Sequence, residues 1–157
     1  MYDVIITTDG SSLRNGRKGS PGGFAAVIQK FDENKEVYDQ QIVCGRGDDV
    51  TNNMMELNAV IAGLERISEP SEILVRTDSQ YVSNAFNKGW ICSWKSKNWK
   101  TSAGVEVKNL EYWQYLIELI KPHTVRFRWV MGHNGDELNE LCDYIADIMA
   151  RDTFSIE

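Results

Sequence analysis

Proline and histidine are scarce in this chain, with three and two copies among 157 residues, and cysteine occurs three times. So little proline, with 42% apolar residues, excludes a proline-rich or disordered polypeptide and leaves an ordinary packed domain. Cys44, Cys92 and Cys142 are odd in number and far apart, which excludes a disulfide framework and a CxxC metal site. They read as three buried thiols in a reducing, cytoplasmic setting. No apolar run approaches the ~20 residues that a membrane-spanning helix needs, so no membrane partner is expected. Met1 to Thr8 lacks the basic start of a secretory signal. The length suits a single domain spanning residues 1–157, with a real core of its own.

Positive charge is in deficit too. Seventeen Lys and Arg against 23 Asp and Glu leave a net charge of −6. On average this speaks against a nucleic-acid binder, but the distribution matters more than the sum. Gly10 to Phe31 contains no acid and carries Arg14, Arg17, Lys18 and Lys30. Lys88 to Lys100 is also free of acid, with Lys88, Lys95, Lys97 and Lys100 interleaved among Trp90, Trp94 and Trp99. Tryptophans packed inward would leave those lysines projecting toward phosphates, a contact that weakens with salt.

What is present alternates strand and helix patterns. Val4 to Ile6 opens a strand that stops at the turn signal Asp9-Gly10, and two further strands, 24–31 and 36–43, flank a polar hairpin turn. Leu57, Val60, Ile61, Leu64 and Ile67 recur at helical spacing over 51–67. A short strand at 73–77, a short helix at 81–86, a helix around Leu110 to Ile120, a strand at 125–129 and a helix striped by Leu138, Cys142, Ile145 and Met149 complete the order β-β-β-α-β-α-α-β-α. That is a mixed α/β domain with helices packed on a sheet.

Four acids fall where ligands bind such sheets. Asp9 and Asp78 each read as ending a strand at its carboxyl edge. Glu56 shares a helix face with Ala59, Val60 and Gly63, so it points toward the sheet, and Asp143 adjoins the Ile145/Ala146 stripe. Taken singly, strand-end aspartates cap turns and helix acids face water. Converging carboxylates repel one another and are driven to take up protons unless a cation intervenes. Mg²⁺ is a hard cation that prefers carboxylates plus waters and substrate phosphates, and two such ions about 4 Å apart form a clamp for displacement at phosphorus. His133, in the flexible run Gly132-His133-Asn134-Gly135, suits proton transfer near neutrality. His123, beside Pro122, reads as a surface histidine, and Asp136 reads as the cap of the last helix.

The chain resembles type 1 ribonuclease H along almost its whole length. The resemblance is carried by Thr8-Asp9-Gly10-Ser11, Thr51-Asn52-Asn53-Met54-Met55-Glu56-Leu57, Thr77-Asp78-Ser79-Gln80-Tyr81-Val82, Trp90-Ile91 with Trp94-Lys95, Trp129-Val130-Met131-Gly132-His133, and Asn139-Glu140 with Cys142-Asp143. It implies an α/β ribonuclease H-like fold, a five-stranded mixed sheet flanked by helices. It also implies an endonuclease that hydrolyses the RNA strand of RNA–DNA hybrids by a two-metal-ion mechanism, leaving 5′-phosphate and 3′-hydroxyl ends.

By this resemblance Asp9, Glu56, Asp78 and Asp143 hold two Mg²⁺ ions with substrate, Mn²⁺ substituting, and His133 is the mobile histidine of the site. Asn15, Asn52, Asn53 and Gln80 match positions that read the hybrid's minor groove, where only one strand shows 2′-hydroxyls. Gly10, Ser11 and Ser12 adjoin them. Thr51 matches a DNA-phosphate contact, and Trp90, Trp94, Lys95, Lys97, Trp99 and Lys100 match a basic protrusion gripping DNA. A monomer without an appended hybrid-binding domain is expected. The chain departs from the pattern in a longer, more basic loop at 14–21, in Met54 and Met131 where cations are common, and in Asp48-Asp49 near the DNA-phosphate contact. Arg14, Arg17 or Lys18 are expected to compensate. The rival readings are another metal nuclease of similar fold, marked by DNA cleavage, and a non-catalytic hybrid-binding module, marked by tight binding without cleavage.

Overall fold

A computed structural model describes residues 1–151. Strands β1 (Val4–Ser12), β2 (Gly22–Phe31) and β3 (Val37–Gly47) form an antiparallel meander. The turn between β2 and β3 is closed by Asp32, whose Oδ1 accepts from the N–H groups of Asn34 and Glu36 at 2.9 and 3.0 Å. Helix α1 (Asn52–Leu64) then crosses over to bring β4 (Glu72–Thr77) parallel to β1. Helices α2 (Gln80–Asn87), α3 (Trp90–Ser96) and α4 (Leu110–Ile120) precede β5 (Thr124–Trp129), which pairs parallel with β4, and α5 (Glu137–Arg151) follows. The mixed sheet has the order β3-β2-β1-β4-β5.

Alternation along the strands divides the core between two faces. Val4, Ile6, Ile28, Ile73 and Val75 meet Leu57, Val60 and Leu64 of α1 on one face, and Trp113 and Leu116 of α4 complete that layer. Burying each such aliphatic side chain contributes about 1.5–3 kcal/mol. On the other face Ala25 and Val27 of β2 pack with Cys142 of α5. There the backbones approach very closely, since a Cβ on Gly23 would stand 2.1 Å from the Ala146 carbonyl oxygen. Arg46 of β3 secures the far end of α5, donating from Nη1 to the carbonyls of Met149 (3.2 Å) and Ala150 (2.6 Å).

Three expectations need correction. The segment after Gly89 is helical, so α3 is an additional element. Gly89 at φ +74 redirects the chain out of α2, and the Trp90/Ile91/Trp94 spacing docks one helical side onto α4, with Trp94 and Trp113 ring centroids 5.4 Å apart. The cysteines are free, but Cys142 alone is buried; Cys44 faces outward on edge strand β3 and Cys92 lies on the solvent side of α3. His123 is half-buried, its Nδ1 accepting from the Ser71 N–H at 3.1 Å. Among the described residues no helix is long and apolar enough to cross a membrane.

Candidate active site

Strand register brings the first two acids together. The parallel β1–β4 ladder ends at the pair Thr8 and Thr77, so Asp9 and Asp78 are each the next residue on neighbouring strands. Asp9 does not end its strand, contrary to expectation, because β2 continues to pair with β1 as far as Ser12. It is β4 that stops, where Ser79 caps α2 by accepting from the Val82 N–H at 3.2 Å. Asp9 is therefore held by the ladder on one side and open on the other.

Glu56 arrives from α1. Thr51 caps that helix, its Oγ1 accepting from the Met54 N–H at 3.1 Å. The helix crosses β1 at Gly10, where a Cβ would lie 2.3 Å from the Met55 carbonyl carbon, so glycine is required for the approach that sets Glu56 beside Asp9. Ligand oxygens of Asp9, Glu56 and Asp78 all lie within 4.8 Å of one another. Asp143 of α5 stands outside this triad, its side chain 42% exposed, yet near enough for its charge to push up the pKa of Asp9 and Asp78. His133 occupies the loop between β5 and α5 at φ +55, with Nδ1 3.8 Å from Asp143 Oδ2. The preceding Gly132 lies against the triad, since a Cβ there would be 2.8 Å from Asp78 Oδ2.

The triad is electrostatically uncompensated. Burial, then the charge of Asp78, pushes the Asp9 carboxyl up to about 8. Burial, then the charge of Asp9, holds Glu56 well above the usual carboxylate range, and burial raises Asp78. Glu56 Oε2 is buried without a hydrogen-bond partner. Among the described residues no lysine or arginine forms an ion pair with any of the three. Clustered hard oxygen donors with an orphaned carboxylate oxygen fit a divalent cation. Cys142, next to Asp143, takes no part: burial pushes its thiol up to about 12, and its Sγ lies 3.2 Å from the Thr7 carbonyl oxygen.

The residues expected to touch substrate fall into two groups, the amides around the start of α1 and the tryptophan–lysine segment from α3 onward. The Ser12 N–H donates to Asn52 Oδ1 at 2.6 Å, and Asn15 Oδ1 accepts from the Asn52 N–H at 3.0 Å, tying the 14–21 loop to the start of α1. Gly10 is buried, Ser11 is half-buried, and Asn53 and Gln80 are exposed. Asp49 accepts from the Gly19 N–H at 2.9 Å and Asp48 pairs with Arg46, so both acids that depart from the family pattern serve local structure. Trp90, Trp94 and Trp99 are half-buried, while Lys95, Lys97 and Lys100 are exposed. Asp136 caps α5 and pairs with Arg76, and Asp147 accepts from Arg151 Nε at 2.9 Å, so neither belongs to the triad. One residue beside the site escaped notice in the sequence, Arg76, whose signal was its strand alternation with Asp78. Asn139, quoted in a matching stretch but given no role there, is buried and lies one helical turn before Asp143.

A carboxylate triad at the carboxyl edge of a mixed sheet, with amides at the start of the helix that carries Glu56, is the arrangement of a nuclease whose acids could hold a metal ion. Comparison with known proteins makes this more particular. The RNase H family model matches residues 1–151. Ribonuclease H of Caldicellulosiruptor saccharolyticus is 42% identical over 154 residues, covering 97% of this chain and 99% of that protein. Ribonuclease H of Oleidesulfovibrio alaskensis is 47% identical over 146 residues, covering 93% and 89%. The crystal structure of LC9-RNase H1, a type 1 RNase H with the type 2 active-site motif, superposes with a TM-score of 0.83 at 28% identity, covering 95% of this chain and 72% of that one. The chain belongs to the ribonuclease H family.

Proposed function

We propose that the chain is one catalytic domain, active as a monomer, that hydrolyses the RNA strand of RNA–DNA hybrids. The observation that carries this reading is the triad of buried Asp9 and Glu56 with half-buried Asp78, without a cationic partner among the described residues, in a chain of this family. Asp9, Glu56, Asp78 and Asp143 would hold Mg²⁺, two ions once substrate is present, with Mn²⁺ able to substitute. Bound there, such ions supply Lewis acidity, acidifying an attacking water and neutralising charge at the scissile phosphate.

The chain's own groups do the remaining work. Glu56, whose Oε2 is enclosed without a hydrogen-bond partner, lies toward the ribose whose 2′-hydroxyl marks the strand to be cut. His133, on an exposed loop beside Asp143, takes a proton from the attacking water or delivers one to the departing 3′-oxygen. Asn15, Asn52, Asn53 and Gln80 offer both donors and acceptors to the minor groove, where 2′-hydroxyls distinguish RNA from DNA and no base sequence is read. Thr51 and the exposed Lys95, Lys97 and Lys100 grip phosphates of the DNA strand. Water adds across the P–O3′ bond, leaving a 5′-phosphate and a 3′-hydroxyl. The three free thiols support a cytoplasmic setting.

The test is a strand-labelled hybrid incubated with Mg²⁺, Mn²⁺ or EDTA and with wild type or Asp9→Asn. Metal-dependent cutting of RNA alone, abolished in the variant, is expected. Cutting of the DNA strand would favour a different nuclease of this fold, and tight binding without cleavage would mean a hybrid-binding module.

A further inference from the structure

On the α5 side of the sheet, Arg76 projects from β4 two residues before Asp78. Its Nη1 donates to Thr7 Oγ1 at 3.2 Å and its Nη2 pairs with Asp136 Oδ2. The two side chains of the pair are largely enclosed, at 18% and 28% exposure. Asp136 turns its other oxygen to α5, Oδ1 accepting from the Asn139 N–H at 3.0 Å, while its carbonyl accepts from the Glu140 N–H at 2.9 Å. One carboxylate thus caps the helix and holds β4 together. One helical turn on, Asn139 is buried, with an Nδ2 that makes no hydrogen bond.

Residues 76 and 78 lie on the same face of β4, and residues 136, 139 and 143 follow one side of the start of α5. The first turn of α5 is therefore fastened to β4 by the Arg76–Asp136 pair, the buried Asn139 is tied to that pair through its own N–H, and Asp143 follows one turn later. The His133 loop is held at its other end by the Val130 N–H donating to the Thr77 carbonyl at 2.8 Å and by Gly132 against Asp78. An enclosed ion pair contributes little net stability, because desolvation offsets its attraction, and its better-attested effect is to specify one arrangement. We propose that Arg76, Asp136 and Asn139 are positioning residues, a clasp between β4 and the first turn of α5 that sets Asp143 and the His133 loop against the carboxylate triad. The clasp rests on the hybrid-cleavage reading for its consequence and on the described contacts for its existence.

The test uses Arg76→Met, Asp136→Asn (which keeps an acceptor for the helix cap) and Asn139→Leu. Each is assayed on hybrid well below its melting temperature and titrated with Mn²⁺ alone by calorimetry. We expect kcat to fall on the order of ten- to a hundredfold through misplacement of reacting groups. KM for hybrid should hold within about twofold, because the DNA grip lies on α1 and α3, and Mn²⁺ affinity should fall about tenfold. Arg76→Lys should recover part of the loss, and the double variant Arg76→Met/Asp136→Asn should be no worse than either single one, since each breaks the same contact. Variants that melt earlier but keep wild-type kcat and Mn²⁺ affinity would overturn the clasp, as would a rise in KM with kcat unchanged. Wild-type protein that cuts no hybrid would instead sink the hybrid reading, and the Mn²⁺ titration would still decide the clasp.

Discussion

The two working ends of the molecule are built on opposite principles. At the triad, acidic groups are buried or half-buried, like-signed and, among the described residues, without cationic partners, held by backbone so tightly packed that Gly10 admits no side chain. At α3 and the residues after it, charged groups are exposed, spread along a surface, and carried on half-buried tryptophans that pack against α4. The first region stores unfavourable electrostatics that a bound cation would relieve; the second stores none and, on the proposed reading, would act through a screened, adjustable attraction. That reading assigns chemistry to the stiff region and affinity to the tolerant one.

The sharpest way to break this contrast is to remove a charge from the triad. Asp9→Asn should lower kcat below about a hundredth of wild type, comparable with loss of one preorganised stabilising group. In the metal-free protein the same change should alter stability in the opposite sense. The folded-state pKa of Asp9 is raised from 3.8 to about 8, so the folded protein binds that proton more tightly than the unfolded chain does. Its contribution to stability is full below pH ~4 and is lost as pH rises through about 8. Thermal melts of metal-free wild type should therefore fall from pH 5 to 9, and Asp9→Asn should flatten the curve; parallel curves would mean the triad stores no such repulsion. A smaller, purely attractive effect is expected at the other end. Lys95→Ala/Lys97→Ala/Lys100→Ala should raise hybrid KM and reduce its salt slope by about one for each phosphate no longer neutralised, with kcat unchanged; a fall in kcat at saturating hybrid would erase the distinction between the two regions.

Smaller still is the contribution of the 14–21 loop, whose Arg14, Arg17 and Lys18 are exposed beside Thr51. Replacing all three with alanine should raise KM about two- to fivefold at low salt and less as salt screens them; an unchanged KM would show that they do not compensate for Asp48 and Asp49. The least effect is expected at His123, far from both ends. Burial lowers its pKa, so its contribution to stability is present above the unfolded value of 6.5 and is lost as pH falls through the folded one. His123→Gln should shrink the loss of melting temperature between pH 7 and 5 by a degree or so, and a wild-type curve without that loss would remove the effect.

Much of this contrast was legible in the sequence, because its signals are local. The apolar stripe of α1, the β-branched opening of β1 and the alternation of β5 follow from side-chain periodicity. So does the separation of lysines from tryptophans in 90–100. What was not legible depends on partners distant in the chain. Asp9 reads as ending a strand until the long pairing with β2 carries β1 to Ser12. Helix α3 is only seven residues long and owes its form to docking on Trp113 as much as to its own spacing. Burial of Cys142 but not of Cys44 or Cys92 follows from which face α5 covers. The meeting of Arg76 with Asp136 is visible only once β4 and α5 have been placed.

The end of the β1–β4 ladder at Thr8 and Thr77 has a wider consequence. The hydrogen-bond ladder acts as a gauge block: it sets the spacing of Asp9 and Asp78 by counting peptide units, whatever lengths of chain lie between the strands. Residues added to the loops around α1 leave the gauge untouched, whereas one residue added within β1 before Asp9 or within β4 offsets the pair by ~3.3 Å and turns one carboxylate to the opposite face. Loops between the strands are free to vary in length, and the spacing of Asp9 and Asp78 is decided by two short runs of paired backbone.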